Sequence, residues 1–113
     1  DYFLDDIPVA RKLEEWELED YEKNLGISVV DHYQKYKINP LNIPSILLPH
    51  HGTMTFSDSP KRTLECAIVL EEIAEMALYT LKLNSNLELD PLSDALYTKH
   101  FERKNGIHKY YGQ

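Results

Sequence analysis

Two adjacent histidines followed by a glycine, His50-His51-Gly52, close the apolar run Ile43-Pro-Ser-Ile-Leu-Leu-Pro49, and they carry the clearest chemical signal in the chain. Imidazole is both a common metal ligand and the side chain that exchanges protons near neutral pH. A histidine delivered by a strand end, next to a glycine that tolerates positive φ and close approach of a ligand, stands where a metal ligand can stand. A structural histidine pair is the plainer alternative. On an extended backbone neighbouring side chains point to opposite faces, so only one of the two can enter a given site. The other reactive types offer less. Cys66 lies among apolar helical neighbours and reads as a buried small hydrophobe, Asp1 as a solvated terminal carboxylate, and Glu65, Glu71, Glu72 and Glu75 as the wet face of a helix. The sequence has no Gly-rich phosphate loop, nucleophile elbow or Cys-rich zinc pattern.

The elements that must position the histidines follow from pattern. Ile46, Leu47 and Leu48 are too few for a helix and suit a short inner strand, confined by Pro44 and Pro49 and ending at His50. Residues 53–56 form a second short strand beside it, and residues 7–11 a short edge strand, kept at the edge by Pro8. Between them Glu14, Glu15, Glu17, Glu19, Asp20 and Glu22 crowd the start of a helical pattern, where negative charge suits the helix dipole. Its inward stripe is Leu18, Tyr21, Leu25, Val29, His32 or Tyr33, and Tyr36; Gly26 marks a point of weakness, and Asn39-Pro40 ends it. Ser59-Pro60 opens a second helix as N-cap and first residue, with Cys66, Ala67, Leu70, Ile73, Ala74, Ala77, Leu78 and Leu81 on its apolar face. After a polar connection at Asn84-Ser-Asn86, Asp90-Pro91 opens a last helix that Asn105-Gly106 ends, leaving a tail with paired tyrosines suited to docking. The expected fold class is α+β, helices packed on a short antiparallel sheet.

With 113 residues the chain amounts to one domain or less. A net charge of −7 argues against nucleic-acid binding, which needs clustered Lys and Arg. No apolar run approaches 18 residues and no lipidation motif is present, so no membrane partner is expected. A single cysteine leaves no internal disulfide and fits a reducing, cytoplasmic setting. The first residue is Asp, from which a processed product or a piece of a longer protein is expected.

His51-Gly52, Leu70-Glu-Glu-Ile-Ala-Glu-Met-Ala77, Lys99-His-Phe-Glu-Arg-Lys-Asn-Gly106 and Tyr110-Tyr-Gly-Gln113, with the opening Asp1-Tyr-Phe and Ile7-Pro-Val-Ala-Arg-Lys12, together resemble the L-ribulose-5-phosphate 4-epimerases of the class II aldolase/adducin superfamily. The long helix is shared across the superfamily; the Lys-His motif with Tyr-Tyr-Gly-Gln is specific to the epimerases. The resemblance spans residues 1–113 but only about half of the family's chain, which implies the C-terminal segment of a single class II aldolase-like domain, three-layered α/β/α when complete. It implies zinc-dependent interconversion of L-ribulose 5-phosphate and D-xylulose 5-phosphate by cleaving and remaking the C3–C4 bond, in sugar catabolism. It further implies a homotetramer with active sites between subunits. On this resemblance His51 is a zinc ligand whose companions lie upstream, Asp1 and Tyr111 are the catalytic acid/base pair, and His100 and Glu22 are polar residues linked to the site. The family's Phe-x-Trp-Gly after His-Gly is replaced here by Met54-Thr-Phe-Ser57. A sugar-phosphate aldolase that stops after cleavage, and a non-catalytic adducin-like interaction module, are the alternatives; the retained His51, Asp1 and Tyr111 speak against the second.

Overall fold

Ile46 has no exposed surface, and the fold is built outward from the strand that carries it. The computed structural model describes residues 2–83 and 92–107. Strand β1, Ser45–Leu48, pairs antiparallel with β2, Gly52–Thr55, with Ser45 opposite Thr55 and Leu48 opposite Gly52. On its other side β1 meets the N-terminal segment at one parallel bridge, Val9 to Leu47. There the Ala10 N–H donates to the Leu47 carbonyl at 2.9 Å and the Leu47 N–H to the Pro8 carbonyl at 2.8 Å. The inner position expected for this strand is thus found, while the edge strand expected over 7–11 shrinks to that bridge. Pro8 has no N–H to extend the ladder.

Helix α1, Tyr21–Tyr36, is preceded by a tight 3-10 turn, Glu15–Asp20. A continuous helix was expected across both. The turn is wound around Glu17, whose carboxylate faces inward to accept the Glu14 N–H at 2.8 Å and two bonds from Arg11 at 2.6 and 2.7 Å. Glu17 is therefore buried, not part of a wet acidic face, and Leu18 and Tyr36 of the expected stripe stand more than half exposed. Leu25, Val29 and Tyr33 do face inward, and the helix runs through Gly26 without a break. It ends in a left-handed Lys37, with the Ile38 N–H bonded to the Tyr33 carbonyl at 3.0 Å.

The Tyr33 hydroxyl donates toward the carbonyls of Ile43 at 2.7 Å and Ser45 at 2.9 Å, tying α1 to the start of β1. Burial pushes its pKa up to about 12, so it stays a neutral donor at any physiological pH. Around it Ala10, Leu25, Val29, Ile46 and Leu48 form the main core, with Leu13, Ile38, Met54 and Phe56 packed on its rim.

Helix α2, Pro60–Leu83, begins as its sequence requires: the Ser59 hydroxyl accepts the Arg62 N–H at 3.3 Å and Pro60 fills the first position. Cys66 and Leu70 are buried with Phe3 in a second, smaller core, against which Tyr2, Ile7, Val69 and Ile73 pack. Beyond Ile73 the expected inward face has no cover among the described residues, and Leu78 and Leu81 are about half exposed. Helix α3, Asp94–Asn105, follows Ser93; the expected opening at Asp90-Pro91 and the connection at 84–86 lie outside the described residues. α3 ends at Gly106, where a Cβ would sit 2.6 Å from the Glu102 carbonyl oxygen, so the stop needs glycine. The architecture is α+β, three helices on a two-stranded antiparallel sheet. Among the described residues no helix is long and apolar enough to cross a membrane.

Candidate active site

β1 stops at Leu48, two residues before the expected end at His50, because the chain turns at once. His50 takes a left-handed conformation with φ of 62°, and the His51 N–H bonds back to the Leu48 carbonyl at 3.0 Å. The backbone at the histidine pair is a turn and not an extended strand, so the alternation that would send the two rings to opposite faces does not operate here. Gly52, at φ of 137°, opens β2 in a conformation that a side chain would strain.

His51 and Tyr21 meet across the gap between this turn and the first residue of α1. The Tyr21 hydroxyl lies 2.7 Å from His51 Nδ1, with the rings 5.8 Å apart and inclined at 57°. Both side chains are solvent-accessible. Tyr21 holds its place because the turn before it is fixed at Glu17: Asn24 Nδ2 donates to the Glu17 carbonyl at 2.8 Å, and the Arg11 bonds, with the Glu14 N–H, lower the Glu17 carboxyl to about 2. The α1 end of the site thus rests on a carboxylate that stays charged at any ordinary pH.

The other expected site residues are distributed differently. His100, on α3, is half-buried in a cleft with Phe3, Ile7, Val69, Ile73 and Tyr97, a separate place from the His51–Tyr21 pair. Burial, and then Asp6 and Asp5, raise the Tyr97 hydroxyl in that cleft. Tyr2 also lines this cleft. Glu22 is exposed on the first turn of α1, beside Tyr21. Asp1 and Tyr111 lie outside the described residues.

Among the described residues no three His, Cys, Asp or Glu side chains gather to hold a metal ion. A catalytic zinc takes three protein ligands and an open position. At this turn His51 offers an accessible imidazole with Nδ1 engaged by Tyr21, which leaves Nε2 as the nitrogen a metal could take. That arrangement fits a single ligand contributed to a shared site, since ligating histidines generally have their second nitrogen hydrogen-bonded. Cys66 offers nothing to a metal here: it is wholly buried, and burial raises its thiol pKa.

Sequence reasoning placed Tyr21 on the apolar stripe of the helix and missed its role as partner to His51. The contact spans 30 residues, so no spacing announces it. The one available signal was chemical, a hydroxyl that asks for a partner wherever its ring is part-buried.

No family model matches the chain. Several curated proteins match it along its whole length. They carry the name L-ribulose-5-phosphate 4-epimerase UlaF: that of Salmonella paratyphi C is 37% identical over 114 residues, as is that of Salmonella typhi, and one named as probable from Mycoplasma pneumoniae is 35% identical over 116 residues. Each alignment takes in 100% of this chain and 47–48% of the relative, so the chain spans about half the length of the curated relatives it matches. The resemblance read from its motifs is borne out by these homologues.

Proposed function

We propose that this chain supplies the C-terminal half of a zinc-dependent L-ribulose-5-phosphate 4-epimerase, a cytoplasmic enzyme of sugar catabolism that assembles as a homotetramer. The observation that carries the reading is the identity of 35–37% along the entire chain to proteins bearing that name, and the engaged, accessible His51 agrees with it. The substrate is a pentose phosphate, and the reaction exchanges the two configurations at C4 by breaking and remaking the C3–C4 bond. The bond must break because C4 bears no acidic proton to remove directly.

A bound zinc supplies Lewis acidity at the substrate's C2 carbonyl and the neighbouring hydroxyl. His51 contributes one of its ligands, and residues upstream of Asp1 in the full protein contribute the others. The work of this chain is otherwise proton transfer. Two groups on opposite faces of the substrate must take and return the C4-hydroxyl proton, one for each epimer, and a carboxylate and a tyrosine, Asp1 and Tyr111, are the types suited to it. The pair would reach across to a zinc held by the neighbouring subunit, which places the active site at the interface.

The test is turnover of the complete enzyme with Tyr111→Phe. Phenylalanine keeps the ring and removes only the hydroxyl, so zinc content and fold are expected to hold while turnover falls by roughly 10²–10⁴-fold. The loss should weigh more on one epimer than the other in trapping released glycolaldehyde phosphate, with Asp1→Asn biased the opposite way. Turnover within a few-fold of the parent would remove Tyr111 from the chemistry.

A further inference from the structure

We infer that Tyr21 is the positioning residue for His51, holding the imidazole so that Nε2 is presented to the metal; the inference rests on the reading of His51 as a zinc ligand. The ground is the 2.7 Å contact between the Tyr21 hydroxyl and His51 Nδ1, which commits one ring nitrogen to the protein. An imidazole that gives the Nε2 lone pair to a cation carries its remaining proton on Nδ1, and that proton needs an acceptor. Tyr21 Oη is at the right distance to be that acceptor. A hydroxyl differs from a carboxylate or carbonyl in this position because it can also donate. Before metal binds, the Tyr21 hydroxyl can instead donate a hydrogen bond to Nδ1 and hold the ring in the same place. The ring is therefore oriented in both states: on loading the imidazole changes tautomer, its single proton passing through solvent from Nε2 to Nδ1, while the Tyr21 hydroxyl keeps its own proton and turns from donor to acceptor.

The geometry around the pair supports positioning and not chance. His51 sits on a turn whose flanks are fixed, the Leu48 carbonyl on one side and the left-handed Gly52 on the other. Tyr21 opens α1 immediately after the turn locked by Arg11 and Glu17. Neither backbone depends on the hydroxyl contact, so the contact is free to serve the side chains. Glu22, the neighbouring residue that the motif pattern favoured, is exposed and has no such contact with the histidine.

The experiment uses the complete protein with Zn²⁺ as probe. Zinc affinity, measured by competition with a chelator, should fall about 10–100-fold in Tyr21→Phe, the range typical for losing a ligand's hydrogen-bond partner. His51→Ala should lose more. In the zinc-loaded parent, ¹⁵N spectra of His51 should show Nδ1 protonated and Nε2 bound. The Co²⁺-substituted protein should show a shifted visible band in Tyr21→Phe, which loss of a merely structural ring contact would not produce. If His51→Ala abolishes tight zinc binding while Tyr21→Phe leaves it unchanged, Tyr21 has no positioning role although the zinc reading stands. If His51→Ala keeps zinc at parental affinity, the reading of His51 as a ligand fails and the inference fails with it. Zinc on Nδ1 in the parent spectra would overturn the inference without any variant.

Discussion

The cluster around Ile46 and the second half of α2 are made of similar aliphatic side chains, but only the first is enclosed by its own chain. Ile46 is wholly buried in a cluster with Leu25, Val29 and Tyr33 of α1, whereas Leu78 and Leu81 stay about half exposed on a helix that nothing described covers. The enclosed region also holds the buried bonds from Tyr33 to the start of β1 and the part-buried pair of Arg11 with Glu17, with Ser45 Oγ as a buried polar atom there that has no partner. A repeating apolar stripe declares that a face seeks burial without saying what will bury it. Polar groups that find partners show where the chain has completed its own structure, because an unpaired buried polar atom costs more than an exposed leucine.

The largest effect that would sharpen this contrast is Ile46→Ala, which should cost about 2–5 kcal/mol as lost burial plus cavity. Urea unfolding of the parent and variant measures it, and a loss below that range would mean that the main core relaxes around the gap. Next is Tyr33→Phe, which keeps the ring but takes the donor from two buried carbonyls and should cost about 1–3 kcal/mol. The pH dependence of the same unfolding curves examines Glu17. Its folded pKa of about 2 lies below the ordinary 4.5, so its stabilising contribution is complete above about 4.5 and is lost as pH falls through 2. Arg11→Met should flatten that part of the profile, and an unchanged acid limb would show that the ion pair does not hold the turn. The smallest effect should come from Leu81→Ser, within about 0.5 kcal/mol. A loss like that of Ile46→Ala would break the comparison, since this face would then be covered.

What could be read from the sequence divides along the same line. The periodicity of Leu25, Val29 and Tyr33, the Ser59-Pro60 start of α2 and the Asn105-Gly106 stop of α3 were legible because each is a local rule acting within a few residues. Glu17 was not, since a run of acidic residues looks like a wet surface until Arg11 is brought across to one of them. The left-handed His50 was hidden by an apolar run that reads as strand to its end. Of the candidate site, His51 was marked by residue type and by resemblance, while its partner Tyr21 depends on a contact between distant segments that only folding creates.

The tie from Tyr33 to Ile43 and Ser45 also bears on the order in which the chain assembles. It closes a loop of 10–12 residues, whereas the Val9–Leu47 bridge closes one about three times as long. Tripling a flexible loop adds about 1 kcal/mol of closure entropy, and a loop of about ten residues can close in tens of nanoseconds. The corner between α1 and β1 is thus the cheaper contact to form first. Closure entropy therefore favours a β1 already tied to α1 when the N-terminal segment is added at the Val9–Leu47 bridge.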